Sequence, residues 1–298
     1  AVSSDPFRCS DTSAERGEPI DGTASVVRSW LLLEHPGPWG TDAFADARLP
    51  AGFGPELAAR CAAARVRPLL IRRVSGPSDS TTTCLAIRSG PEPPWIEGAR
   101  LDRIEDALAL DLEGLGRGER PGLEPRADPV FLVCTHGRHD RCCAERGRPL
   151  ARAIAGAFPD ATWECSHIGG DRFAGNVVAF PHGLYFGRVE PDDGERVARD
   201  YLEGRISLEH LRGRSCHPMP VQAAEIELRR QTGLSGVDDV AVESFAHAGR
   251  EVVAVLRAGS ERVQVRVRVE RTDPAVLTCR SATAEPAPTY RVAVGDRA

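Results

Sequence analysis

Cys134-Thr-His-Gly-Arg-His-Asp-Arg-Cys142-Cys143 and, further along, Cys165-Ser-His167-Ile-Gly-Gly-Asp171-Arg-Phe-Ala are the stretches that decide how this chain is read. Three of its nine cysteines fall within the first stretch, and a fourth opens the second. Thiolate and imidazole groups gathered in two short segments are what a soft metal centre needs. The paired glycines let backbone pass close to a bulky cofactor. Pro129 to Cys134 is a short apolar run and predicts a strand that ends on Cys134. Asp140 to Phe158 reads mostly as helix, so Cys143 sits near its start, and Thr162 to Ser166 reads as the next strand. The two ligand-bearing loops then lie at one end of the same sheet.

Working outward, Asn176 to Phe180 and Leu184 to Val189 read as a hairpin across Pro181-His-Gly, followed by a helix from Glu195 to Leu202. Strand-helix-strand, hairpin, helix is the thioredoxin-type order. A similar order precedes it. Ser29 to Glu34 predicts a buried strand, and His-Pro-Gly-Pro-Trp-Gly a turn-rich loop. Pro55 to Val66 predicts a helix. Pro68 to Val74, Thr82 to Arg88 and Trp95 to Leu101 predict strands, and Ile104 to Leu112 a helix. The expected fold is α/β: a thioredoxin-like domain that bears the ligand motifs, preceded by a second thioredoxin-like α/β half, with a β-rich C-terminal appendage. The expected organisation is an irregular segment over 1–26, the first half over 27–113 and a linker over 114–128. The ligand-bearing domain follows over 129–232 and an antiparallel appendage over 233–298. The linker is rich in Gly, Pro and charge. Val221 to Gln231 reads as a helix. In the appendage Val263, Val265, Val267 and Val269 alternate with polar residues, so one face is expected to be buried.

Composition narrows the function. With 41% hydrophobic and 27% charged residues the chain has the balance of an ordinary soluble globular protein. A net charge of −5 provides no basic field for nucleic acid. No apolar run approaches membrane-spanning length, and the N-terminus does not read as a signal peptide, so no membrane association is expected. All 38 basic residues are Arg, which excludes Schiff-base and phosphate-loop lysine chemistry. Nine cysteines without a regular framework spacing, in a chain of 298 residues, point to reduced thiols and a cytoplasmic setting.

The segments CTHGRHDRCC, HIGGDRFAGN and PHGLYFGRV resemble the sucrase/ferredoxin-like family, a branch of the thioredoxin-like [2Fe-2S] ferredoxins. CSDTSAERGEPIDGTA and LLLEHPGPWG also look like its bacterial members, so the resemblance covers most of residues 9–232. It implies a [2Fe-2S] cluster, one-electron transfer and a redox partner protein. Characterised fungal members hold the cluster with two Cys and two His in a C-x8-C plus H-x3-H pattern. Carried over, Cys134, Cys143 and His167 match, and the fourth position is Asp171 in place of His. A carboxylate is a harder donor and a less usual cluster ligand. Asp171 binds, or Cys165 turns inward, or this branch lacks the cluster. The family name suggests sucrose hydrolysis, yet no flanked carboxylate pair points to a glycosidase.

The remaining residues have plainer expectations. Cys142 reads as a buried neighbouring thiol, and Cys61, Cys84, Cys216 and Cys279 as structural. His136 and His139 read as loop hydrogen-bonders, and Trp39 as a packing anchor. Gly169 and Gly170 read as sites of close approach. Arg138, Arg141, Arg146 and Arg148 form either a docking patch or a solvated helix face. Two other functions stay open: a zinc-stabilised binding module using Cys134, Cys143, Cys165 and His167, and a cluster-free thiol oxidoreductase.

Overall fold

The run Ser29–Glu34 has no face fit for water, and it forms β1 with every residue buried. A computed structural model describes residues 7–76 and 81–297. Its first part comprises α1 (Cys9–Glu15), β1, α2 (Ala43–Asp46), α3 (Phe53–Ala64), β2 (Val66–Arg73), β3 (Thr82–Arg88) and β4 (Trp95–Leu101). A 3-10 turn at Ile104–Ala109, α4 (Leu112–Arg117) and β5 (Glu124–Arg126) follow. The second part comprises β6 (Val130–Cys134), α5 (Arg141–Ala157), β7 (Thr162–Cys165), β8 (Val177–Phe180), β9 (Leu184–Phe186), α6 (Pro191–Leu202) and β10 (Leu211–Arg214). The chain ends in α7 (Met219–Thr232), β11 (Val240–Ala248), β12 (Glu251–Ala258), β13 (Glu261–Arg271) and β14 (Pro288–Arg297).

Ten strands form one sheet in the order β10-β9-β8-β6-β7-β2-β1-β3-β4-β5. The order is a palindrome of topology. In the first half β1 and β2 are parallel across α3, and β3 and β4 follow antiparallel. In the second half β6 and β7 are parallel across α5, and β8 and β9 follow antiparallel. Each half is the thioredoxin-like unit. β5 and β10 extend the two outer edges. The halves join where β2 pairs antiparallel with β7, Ile71 opposite Cys165 and Arg73 opposite Trp163.

Three expectations differ from the structure, the first being the helix read over Ile104 to Leu112, where a 3-10 turn at Ile104–Ala109 precedes α4. The segment 1–26 contains α1, a helix of seven residues with Cys9, Ser10 and Ser13 buried. A helix that short is marginal alone, so its sequence carries little signal. Tertiary contact with the 3-10 turn Asp171–Phe173 holds it. The 114–128 segment is folded as well. It carries the end of α4, capped by Gly118 at φ +98°, and the edge strand β5. Buried Glu97 accepts the N–H groups of Gly122 and Leu123 at 3.1 and 3.0 Å and pins the turn. Pro125 is tolerated there because β5 is an outer edge, which can spare an N–H.

The last four strands form a separate antiparallel meander, β11-β12-β13-β14. Val263, Val265 and Val267 are fully buried, while Gln264, Arg266 and Arg268 face solvent, as the alternation predicts. The apolar face packs on Val221, Ala224 and Leu228 of α7. Among the described residues, no helix is long and apolar enough to cross a membrane.

One close contact sets the site. Gly147 lies on the inner face of α5, where a Cβ would come 2.0 Å from the carbonyl oxygen of Cys134. The helix therefore rests directly on the end of β6, and its first turn reaches the ligand loop. Gly147→Ala must push α5 outward. We expect it to cost about 1–3 kcal/mol or more, read as a lowered urea midpoint, and to reduce bound metal. An unchanged midpoint would show that the helix is not seated on β6 as described.

Candidate metal centre

Cys134 closes β6 and pairs in register with Cys165, which closes β7. The chain then turns through residues 135–140 into α5. Asp140 caps that helix, accepting the N–H of Cys142 at 2.9 Å. This cap brings Cys143 back over Cys134. The donor atoms of Cys134, Cys143 and His167 lie within 4.8 Å of one another. Those of His139, His167 and Asp171 form a second such group, so His167 belongs to both. Oδ1 of Asp171 is 3.4 Å from Sγ of Cys143 and 3.0 Å from Nδ1 of His167. The rings of His139 and His167 stack with centroids 3.7 Å apart.

The structure thus brings Cys134, Cys143, His167 and Asp171 together. Cys165 touches Cys134 but lies outside both donor groups. His139 is the loop hydrogen-bonder expected, with Nδ1 3.3 Å from Thr41 O, and it also joins the second donor group. Its position in the loop was its one sequence signal; the stacking on His167 is tertiary. His136 does hold loops, as expected. Its Nε2 donates to Gly40 O at 2.9 Å, and its Nδ1 accepts the N–H of His167 at 3.2 Å. Trp39 is the expected anchor, edge-on to His136, with Arg72 stacked 4.4 Å from its ring centre.

Gly169 and Gly170, at φ +94° and +82°, turn the chain between His167 and Asp171. Their close approach is not toward the metal donors. A Cβ on Gly169 would meet Ser25, and one on Gly170 would meet the Arg212 guanidinium. Arg212 is almost fully buried and knits this loop, donating to Gly169 O at 3.1 Å and to Asn176 Oδ1 at 2.7 Å. Burial lowers its pKa to about 10.

The thiols divide into donors and one acceptor of charge. Contacts with the Cys143 and Cys165 thiols hold Cys134 well below the ordinary thiol range. Contact with Cys134, added to burial, pushes Cys143 up. Burial, then contact with Cys134, raises Cys165. Burial disfavours a charged His167, but Asp171 and the Cys134 thiolate outweigh it and raise the imidazole to about 9. Burial would raise Asp171, and His167 carries it below the usual carboxylate range instead.

A metal group fits this donor set. Two buried thiols and an imidazole are soft and borderline donors of the kind that hold iron-sulfur clusters or zinc. Nδ1 of His167 is buried, and although the Asp171 carboxylate lies 3.0 Å away, it has no well-formed hydrogen bond. A buried nitrogen left without a hydrogen bond is costly unless something binds it.

Fold and site together define a thioredoxin-like α/β protein with a candidate thiolate–imidazole metal centre. The sucrase/ferredoxin-like family profile matches residues 20–213, and the chain belongs to that family. It is 31% identical over 97 residues to "Altered inheritance of mitochondria protein 32" of Meyerozyma guilliermondii, matching 29% of this chain and 34% of that protein. It is 34% identical over 110 residues to the protein of the same name from Clavispora lusitaniae, matching 33% of this chain and 40% of that one. The chain spans about a third of the length of the first of these yeast relatives. The structure of a "thioredoxin-like [2Fe-2S] ferredoxin" from Aquifex aeolicus aligns with a TM-score of 0.27 and 16% identity, covering 30% of this chain and 94% of that one.

The geometry ranks the ligands. We expect Asp171→Ala to leave metal bound but labile, and Cys165→Ser to retain it. If His139 only orients His167, His139→Ala should weaken binding about 10–100-fold; a ligand role would abolish it. Metal content after timed chelator challenge reads all three. Loss in Cys165→Ser with retention in Asp171→Ala would reverse the assignment.

Proposed function

We propose that this chain is a one-electron carrier that holds a [2Fe-2S] cluster on Cys134, Cys143, His167 and Asp171. The observation that carries the reading is the meeting of two buried thiols with an imidazole and a carboxylate at the strand ends of one thioredoxin-like half. Membership of the sucrase/ferredoxin-like family supports it. Such a cluster supplies reversible one-electron transfer, and imidazole in place of thiolate raises its potential.

The chain's own residues set the terms of that transfer. Cys134 and Cys143, each 1% exposed, form the dry side of the site. The His167 side chain is 23% exposed, so the imidazole edge faces the surface and is the natural exit for an electron. A titratable His ligand also couples proton to electron transfer. Without metal, Asp171 stands within ion-pair distance of His167 and stabilises its protonated form. Arg138 is exposed on the ligand loop and Arg141 at the start of α5, and exposed Arg280 lies 3.2 Å from His139. These cations suit an acidic redox partner protein. A reducing, cytoplasmic setting belongs to the same reading, because only reduced thiols ligate metal.

The compactness of the first donor group favours one alternative. Cys134, Cys143 and His167 lie close enough to share a single ion, which suits a mononuclear zinc centre. Anaerobic purification with iron, sulfide and zinc analysis decides. We expect about two iron and two sulfide per chain with visible absorption. Cys134→Ser and Cys143→Ser should bleach the protein, whereas Cys142→Ser should keep its colour. Colourless protein containing zinc and no iron would overturn the cluster reading.

A further inference from the structure

We propose a second metal site, for a zinc-like divalent ion, formed by Cys9, Cys142, Cys279 and Asp140. It lies at the first turn of α5, where neighbouring residues point about 100° apart, beside the centre described above. Adjacent Cys142 and Cys143 divide between the two: Cys143 joins Cys134, and Cys142 joins two cysteines more than 130 residues away in sequence.

The three sulfurs form a triangle. Sγ of Cys142 is 3.7 Å from Cys9 and 3.4 Å from Cys279, and Cys9 to Cys279 is 3.6 Å. Disulfide sulfurs would stand at about 2.05 Å. Three sulfurs at about 2.3 Å from one tetrahedral zinc would stand about 3.8 Å apart. The triangle is therefore close to the spacing that a shared ion imposes. Cys9, Cys142 and Asp140 are each 1% exposed, and Cys279 closes the outer side.

Asp140 supplies the fourth donor. Its carboxylate oxygens are 3.8 and 3.7 Å from Sγ of Cys9. Oδ2 accepts the hydroxyl of Thr278 at 2.8 Å and the N–H of Cys279 at 2.7 Å, which uses its lone pairs. Oδ1 accepts the N–H of Cys142 at 2.9 Å and the Cys9 thiol at 3.8 Å, and the second of these lone pairs is freed when that thiol gives up its proton to bind the ion. Those hydrogen bonds fix the carboxylate as orienting partners fix metal ligands. Binding releases the thiol protons to solvent, and the ion's charge offsets the thiolates and carboxylate.

The ligands come from three separate places: α1, the start of α5, and the segment between β13 and β14. An ion there would clamp α1 and the β13–β14 connection onto the helix that carries Cys143. This inference does not depend on which metal occupies the first centre.

The test measures zinc and iron in the full chain, expressed with zinc and purified under reductant. We expect the double variant Cys9→Ser/Cys279→Ser to hold one equivalent of zinc less than the wild type, with iron unchanged. Cys279→His, which restores a zinc donor, should keep the ion. Equal zinc in wild type and double variant would overturn the proposal. Should the serine variants not fold, cobalt titration of Cys134→Ser/Cys143→Ser, whose first centre has lost its thiols, is the second test. A thiolate-to-cobalt absorption band there supports the second site, and no band overturns it.

Discussion

Everything distinctive about this molecule depends on three residue pairs, where the end of β2 meets the end of β7 in antiparallel register. The seam fuses two thioredoxin-like halves into one sheet. Because the overlap is only at the C-terminal ends of both strands, the loop after β1 and the loop after β6 are brought against each other. The seam is reinforced across its faces. Arg72 pairs with Glu164, Arg73 stacks 3.6 Å from the ring centre of Trp163, and Ser166 exchanges hydrogen bonds with Leu70. Glu164 also accepts the hydroxyl of Thr135, the first residue of the ligand loop. One ion pair thus touches both the seam and the site.

The first half has no comparable cluster of thiols in its own loop, yet it completes the site of the second. Gly40 and Thr41 offer carbonyls to His136 and His139, and Trp39 packs against His136. The function of the duplicated fold is divided: one half bears the donors, the other orders the loop that presents them. Preorganisation of this kind matters for a metal centre, because loosely held ligands lose affinity when their partners are removed. On the far side Arg212, with no bulk water to solvate it, satisfies its guanidinium on the glycine turn and Asn176. The turn after His167 is therefore held by a buried cation, and the loop that bears His136 and His139 by the neighbouring half.

Much of this was legible in the chain. Strand-forming runs such as Trp30–Leu33 and Val130–Cys134 allow no solvated face, and the valine alternation of β13 allows only one. Their positions and order therefore follow from local chemistry, as does the recurrence of the thioredoxin-like order. The C-x8-C and H-x3-D spacings placed four donors on two loops at one end of the sheet, and the structure brings those four together. The stretch 114–128 misled because Gly and Pro content is equally suited to a linker and to a capped helix followed by an edge strand. Burial of Glu97 decided for the latter.

What the sequence alone determined is the chemistry available: which residues are soft donors, which runs must be buried, and where the chain must turn. These are properties of neighbours along the chain, and spacing records them. What only the tertiary structure decided is which distant donors meet. His139 stacks on His167 because β7 returns the chain beside β6, and Cys165 is left to Cys134 because the two close paired strands in register. Cys9 and Cys279 reach Cys142 from opposite ends of the chain. No periodicity encodes such meetings. They are consequences of packing, in which α5 rests on β6 at Gly147 and α1 and the β13–β14 connection fold against its first turn.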